Sequence, residues 1–367
     1  MLDLFKDRIQ GSFDIGSSSL KGLRIKKGKV SDISIKELKN GVIVNGNIED
    51  YLEISEGLKM LVDELELKNK EVVVSIPIQN FFIKFLSIGQ VGEKEKLKLI
   101  ESELEELVPN FEPEEFISDY VELGSELSDE SKNIDGKDSI MAITVPKNKI
   151  KEILEIFDSL KVVPVRIVPD FISLFNLVQR EKNRQGINEE ESVMIVDMGT
   201  ESTKIFIERD GIMKMQRIVA TGGNDVTEML QRFYNLEREQ AEDEKRKLEL
   251  LDESVSQGEE DSRALFMEIA ELFDELENQI KVSIEFYKSH EGRPGIDKLF
   301  IFGGASLVKG FKQNLEKTLE LEVEEIDYKD FLASNFNELY KVEDYPVARI
   351  GALLGSVVEE VKEKWLK

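Results

Sequence analysis

Apolar residues near the start of the chain recur first at every second position and then at every third or fourth, which predicts a sheet followed by a helix. "GSFDIGS" and "KGLRIKKGKVSDISIKEL" read as three strands joined by a turn and by a hairpin with its tip at Lys27-Gly28. Leu52, Leu58, Leu61, Val62 and Leu65 mark one helical face, and "EVVVSIP" is a short buried strand ended by Pro77. Residues 80–168 read as an inserted unit of order βαββαβ. Its strands are "FFIKFLSI", "EFISDYVEL", "IMAITV" and "VVPVRIV". One helix carries Leu97, Ile100, Leu104 and Leu107, the other Ile150, Leu154, Phe157 and Leu160. A helix over 169–182 and a solvated linker, "RQGINEEES", lead into the second half.

The second half opens as the first did. "FDIGSSSLK" at 13–21 returns as "VDMGTESTK" at 196–204, each with a lysine seven residues after its aspartate. Gly28 follows Asp14 at the interval at which Gly211 follows Asp197, so the repeat extends to a hairpin tip and implies a duplicated sheet. Beyond it, the charge-dense stretch 237–262 is expected to be an exposed helix and loop. A long helix follows, with Leu265, Ile269, Leu272, Leu276, Ile280 and Ile284 on one face. "KLFIFGGASLVKGF" gives strand, glycine turn and helix, and a small-residue helix closes the chain. These boundaries suggest five segments: 1–79, 80–168, 169–220, 221–294 and 295–367.

The 367 residues contain no cysteine and one histidine, His290, which excludes disulfides, thiolate catalysis and a structural zinc cage. His290 itself reads as a helix cap or surface residue. A formal net charge of -26 argues against nucleic-acid binding. There is no apolar run of about 18 residues and no signal peptide, so the expected location is the cytoplasm. Trp365 and Leu366 are expected to dock on the protein rather than on a membrane.

A strand that ends in Asp-x-Gly and turns sharply presents successive N–H groups that can cradle phosphate oxygens. Gly16 and Gly199 allow the turn, while Ser17, Ser18, Ser19, Thr200 and Ser202 supply hydroxyls. Asp14 and Asp197, repelled by phosphates, are suited to holding a hydrated Mg²⁺. Two copies suggest a nucleotide clamp between two similar lobes. Gly303 and Gly304, followed by Ala305, allow backbone to approach a base or an α-phosphate.

In this order the motifs resemble the phosphate-1, phosphate-2 and adenosine motifs of the actin, heat-shock chaperone and sugar kinase ATPase superfamily, over essentially the whole chain. "ATGGNDVTEML" at 220–230 is similar to its Gly-Gly-x-Asp segment, adding Gly222 and Gly223. "EDEKR" at 242–246 is similar to the adenosine-flanking segment of the chaperone branch, adding Glu242 and Lys245. "VARIGALLGS" at 347–356 resembles the second connecting helix. The resemblance implies an α/β, actin-like (ribonuclease H-like), duplicated two-lobe fold that binds ATP and Mg. It places Lys21 at a phosphate, while Lys204 reads as an exposed strand residue. For hydrolysis, Asp170 is the candidate to orient water, against the alternative of a helix N-cap. Glu201, where many relatives have glycine, disfavours hydrolysis more than binding.

The insert at 80–168 is similar in placement to a relocated subdomain of the cell-division protein FtsA and of the PilM family of type IV pilus assembly. The PilM family is the closer match, because the chain is short and stops after "EEVKEKWLK", where FtsA carries a linker and a basic amphipathic membrane anchor. That resemblance implies a cytoplasmic, slowly hydrolysing scaffold that binds the N-terminal peptide of a PilN-like inner-membrane protein and lies at the membrane through it. Self-association stays open. The alternatives are an FtsA-like division protein, a small-molecule kinase of the same superfamily, and a nucleotide-free interaction module.

Overall fold

The period-two stretch at the start of the chain forms an antiparallel meander of β1 (Ile9–Ile15), β2 (Ser19–Lys26) and β3 (Lys29–Glu37). Parallel to β1 runs β6 (Glu71–Ile76), and parallel to β6 runs β10 (Val163–Pro169), giving the order β10-β6-β1-β2-β3. The second half builds the same pattern from β11 (Val193–Met198), β12 (Thr203–Arg209) and β13 (Ile212–Val219), with β14 (Lys298–Phe302) parallel to β11 and β15 (Glu322–Glu324) parallel to β14. Its order, β13-β12-β11-β14-β15, matches the first sheet counted outward from the meander. The repeated phrase is therefore the trace of a repeated sheet.

This computed structural model describes residues 9–27, 29–89, 91–124, 137–250, 260–289, 295–326 and 349–357. Gly28, His290, Trp365 and Leu366 lie outside the described residues, as does part of the acidic stretch at 251–259. The chain forms two units, one mainly of residues up to Leu177 and one mainly from Val178 onward, with 352–357 returning to the first.

In the first unit, α1 (Tyr51–Glu64) starts where the Asp50 side chain accepts the Glu53 N–H at 3.0 Å, a cap for an otherwise unsatisfied donor. Together with α3 (Lys147–Ser159) it packs on the main sheet, joining Ile54, Leu58, Leu61, Ile153 and Phe157 to Phe13, Val72 and Val74. Between α1 and the meander lies a small ribbon, β4 (Ile43–Val44) with β5 (Asn47–Ile48). The insert has its own antiparallel sheet, ordered β7 (Phe82–Gly89), β9 (Lys137–Pro146), β8 (Phe116–Gly124). It is covered by α2 (Glu93–Leu107) through Leu86, Ile88, Ile100, Leu104, Ile140 and Ala142.

The order βαββαβ is present along 80–168, but its last helix and strand do not stay with the insert. The side chains of α3 join the main core, and β10 completes the main sheet, so the insert's sheet is three-stranded. The buried helical arcs also sit off the expected ones. Leu52, Leu97, Leu107 and Leu154 are exposed, while Ile54, Val108, Ile153 and Ile156 turn inward. A leucine at the rim of a helical stripe is exposed whenever its neighbour at the next turn covers the core instead.

The chain passes from one unit to the other within α4 (Asp170–Gln185). In the second unit α5 (Gly223–Tyr234), α6 (Arg238–Lys245), α7 (Glu260–Ser289) and α8 (Phe311–Leu319) follow. Ile269, Phe273, Leu276 and Ile280 of α7 share a core with Met194, Val196, Ile205 and Phe311, so the long helix buries the stripe its period announced. The short α9 (Gly351–Gly355) ends against α4, where a side chain at Gly355 would overlap the Ser173 carbonyl oxygen at 1.8 Å.

One buried ion pair fastens α4 to the second sheet. Lys182 Nζ donates to Glu208 at 2.8 Å, and the Gly211 N–H donates to the other oxygen of that carboxylate at 2.7 Å. Burial pushes the Glu208 carboxyl above the usual carboxylate range, against the opposing pull of Lys182. Lys182→Met leaves that charge uncompensated and is expected to cost roughly 3–5 kcal/mol at neutral pH. Because Glu208 then binds its proton more tightly in the folded than in the unfolded chain, the deficit grows as pH rises through the carboxylate range and shrinks as pH falls. Thermal melts of variant and parent between about pH 5 and 8 check this.

Candidate functional site

Each sheet carries a four-residue turn after its first strand. In the first unit Ile15 pairs with Leu20, and the Gly16 N–H donates to the Ser19 carbonyl at 3.1 Å. In the second Met198 pairs with Thr203, and the Gly199 N–H donates to the Ser202 carbonyl at 3.0 Å. This register makes residues seven apart direct cross-strand partners. Asp14 lies opposite Lys21, whose Nζ donates to it at 2.7 Å. Asp197 lies opposite Lys204 in the same way, at 3.1 Å.

Lys204 therefore departs from expectation. It is 8 % exposed and ion-paired, because the turn length directs it to the same side as Asp197 rather than to solvent. The unchanged spacing of seven in the two copies was the available signal.

Around the second turn the backbone packs on itself. Gly223 N–H donates to the Gly199 carbonyl at 2.9 Å, Asn224 N–H donates to that of Thr200 at 2.8 Å, and the Thr203 hydroxyl reaches the Thr221 carbonyl at 2.7 Å. Gly222 N–H donates to Asp225 at 2.8 Å, closing the start of α5. The first donors of α5 thus hold the turn in place. A side chain at Gly222 would lie 2.5 Å from the Thr200 carbonyl oxygen, and one at Gly303 would lie 2.1 Å from that of Met198. Gly303 also adopts φ +88°, which favours glycine.

Lys245 and Glu242 reach this centre from α6. Lys245 Nζ donates to the Gly223 carbonyl at 3.1 Å, to the Thr227 hydroxyl at 2.7 Å and to Glu242 at 2.9 Å, which accounts for its three donors. Glu242 also accepts from Thr227 at 2.7 Å. Burial opposes the charge on Glu242, yet Lys245, Thr227 and Arg238 together hold its carboxyl below the usual range. Burial likewise draws Lys245 below the ordinary lysine value despite Glu242. A Cβ at Gly223 would lie 3.3 Å from that of Ala305, so the glycine pair of α5 and the turn after β14 meet. The second unit thus gathers Gly199, Gly222, Gly223, Lys245, Gly303 and Ala305.

Three residues here escaped the sequence reading. Thr227 links α5 to α6, the Arg349 stem lies against Gly304, and Asn224 Oδ1 is buried without a hydrogen-bond partner. Asn224 stands inside the quoted "ATGGNDVTEML", so only its neighbours were singled out. Among the described residues no group of three or more acidic or histidine side chains is placed to hold a metal. Asp14 precedes the first turn, and Asp197 precedes the second, which itself contains Glu201. In the first unit Asp170 is buried at the start of α4 and accepts the Ile78 N–H at 3.1 Å, tying that helix to the segment after β6.

The sequence profile of the family described as type IV pilus assembly protein PilM matches residues 12–336. A solved structure described as the PilM-PilN type IV pilus biogenesis complex is similar over 97% of this chain and 99% of its own, at 19% identity and TM-score 0.78. The ethanolamine utilization protein EutJ of Carboxydothermus hydrogenoformans is similar over 95% of this chain and 89% of its own, at 14% identity and TM-score 0.51. No curated protein sequence matches. The fold these structures share with the chain is the actin-like one. No helix among the described residues is long and apolar enough to cross a membrane.

Two glycines with positive φ separate close packing from conformation. Gly303→Ala adds a backbone overlap to an unfavourable φ and is expected to cost more than about 3 kcal/mol. Gly41, at φ +79° with open space around its Cβ position, is expected to lose only about 1 kcal/mol on the same substitution. Chemical denaturation of the two variants beside the parent measures both.

Proposed function

The chain belongs to the family of the type IV pilus assembly protein PilM, and from that membership we propose that it is an ATP-binding scaffold of pilus assembly. Its nucleotide state is passed to an inner-membrane partner of PilN type, bound through that partner's N-terminal cytoplasmic peptide. It works in the cytoplasm and lies at the membrane through this partner. The PilM-PilN assembly named for the similar structure supports the choice of partner.

The observation that carries the nucleotide reading is the cradle of the second unit. At Gly222 and Gly303 backbone approaches backbone where no side chain fits, and the phosphate-2 residues meet the adenosine-side residues Gly223 and Ala305. Such a surface can follow a flat base and a phosphate closely. The buried acceptor Asn224 Oδ1 suits a ligand hydroxyl or amino group.

Gly16, Ser17, Ser18 and Ser19 with Lys21 are assigned to phosphate contacts, as are Gly199, Thr200 and Ser202. Gly303, Gly304 and Ala305 are assigned to the base and α-phosphate side. Glu242 and Lys245 act as positioning residues that hold Gly223 and Thr227. A hard carboxylate before each turn fits Mg²⁺ held through water, since Mg²⁺ retains several waters and needs few protein ligands. The carboxylate that would hold it is Asp14 in the first unit and Asp197 in the second. Mg²⁺, when bound, supplies positive charge that offsets the phosphates.

Titration calorimetry with Mg-ATP, repeated with a synthetic N-terminal peptide of a PilN-type protein, tests this reading. Binding of both ligands is expected, and absence of ATP binding at millimolar concentration overturns the nucleotide assignment. Asp170→Asn separates the tether from catalysis. If Asp170 orients water, turnover falls about 100-fold or more while ATP affinity changes less than about threefold. If it only tethers Ile78, stability falls and turnover per folded molecule is kept.

A further inference from the structure

We propose that Lys204 is a second phosphate-binding lysine, doing on the second turn what Lys21 does on the first. The inference rests on the ATP-binding reading above and deepens it.

Geometry makes the two lysines counterparts. Each is the cross-strand partner of the aspartate that precedes its glycine turn, and each is one position beyond the pair that closes the turn. Their ammonium groups sit 2.7 and 3.1 Å from the carboxylates. Side-chain exposure is 11% and 8% for Lys21 and Asp14, and 10% and 14% for Lys204 and Asp197, so neither pair is sealed from a ligand.

Stability gives no reason for an ion pair at this place. The three pairs that precede it on β11 are apolar, Met194 with Ile207, Ile195 with Phe206 and Val196 with Ile205. A partly buried ion pair holds two strands no better than an apolar pair of similar volume. What it adds is a cation beside the turn, in a chain whose net charge of -26 repels polyanions. Lysine suits that task as a flexible point charge with three donors. Lys204, beside the turn and across the strand from Asp197, is placed to exchange that aspartate for a phosphoryl oxygen.

Calorimetry with ADP, inorganic triphosphate and adenosine on the parent protein and on Lys204→Met tests the proposal. The variant is expected to lose roughly 10- to 100-fold in affinity for ADP and triphosphate, the worth of a charge-assisted contact, and none for adenosine. If Lys204→Met melts too low to measure, Asp197→Asn is compared with Asp197→Asn/Lys204→Met. Adding the second change must then weaken ADP binding about tenfold further without affecting adenosine. A folded variant that binds ADP as tightly as the parent, or loses adenosine and ADP alike, overturns the proposal and leaves the pair structural. A parent that binds none of the three ligands overturns the ATP-binding reading itself.

Discussion

Contact of backbone with backbone, at positions where any Cβ would collide, is the constraint on which the second unit depends. At Gly303 the turn after β14 lies against Met198, the last residue of β11, and at Gly222 the start of α5 lies against Thr200. With side chains excluded, peptide groups from two other segments converge on the end of β11 and its turn. Their hydrogen bonds run from Gly223 and Asn224 to Gly199 and Thr200, so the turn is fixed before any ligand arrives. A turn held this way loses little conformational freedom on binding, which is the physical advantage of preorganisation.

Duplication supplies the second constraint. Two sheets with one strand order each place an aspartate and a lysine across the same register, beside the same closing hydrogen bond. On so acidic a chain, each turn thus keeps one lysine beside it, held by the aspartate across the strand.

The fold was largely legible because its signals are local and repeated. The strand periods, the glycine turns and the long stripe from Leu265 to Ile284 each follow from neighbouring residues, and the repeat of the turn phrase gave the duplication. Two features were less legible. That β10 belongs to the main sheet depends on pairing with β6, across an insert that periodicity cannot see past. Lys204 looked like a surface residue because alternation assigns a face, whereas burial depends on what covers that face. The motif residues of the second unit do converge, but the links that hold them, Lys245 with Thr227 and Gly223, cross from α6 to α5 and were not readable from spacing.

Hydrogen–deuterium exchange at the amides of Gly16–Ser19 and Gly199–Ser202, with and without Mg-ADP, tests the central claim most directly. The account predicts that nucleotide slows exchange in both turns and at Gly222–Asn224, more than in the insert sheet of β7, β8 and β9. Exchange unchanged in both turns at saturating Mg-ADP would contradict it.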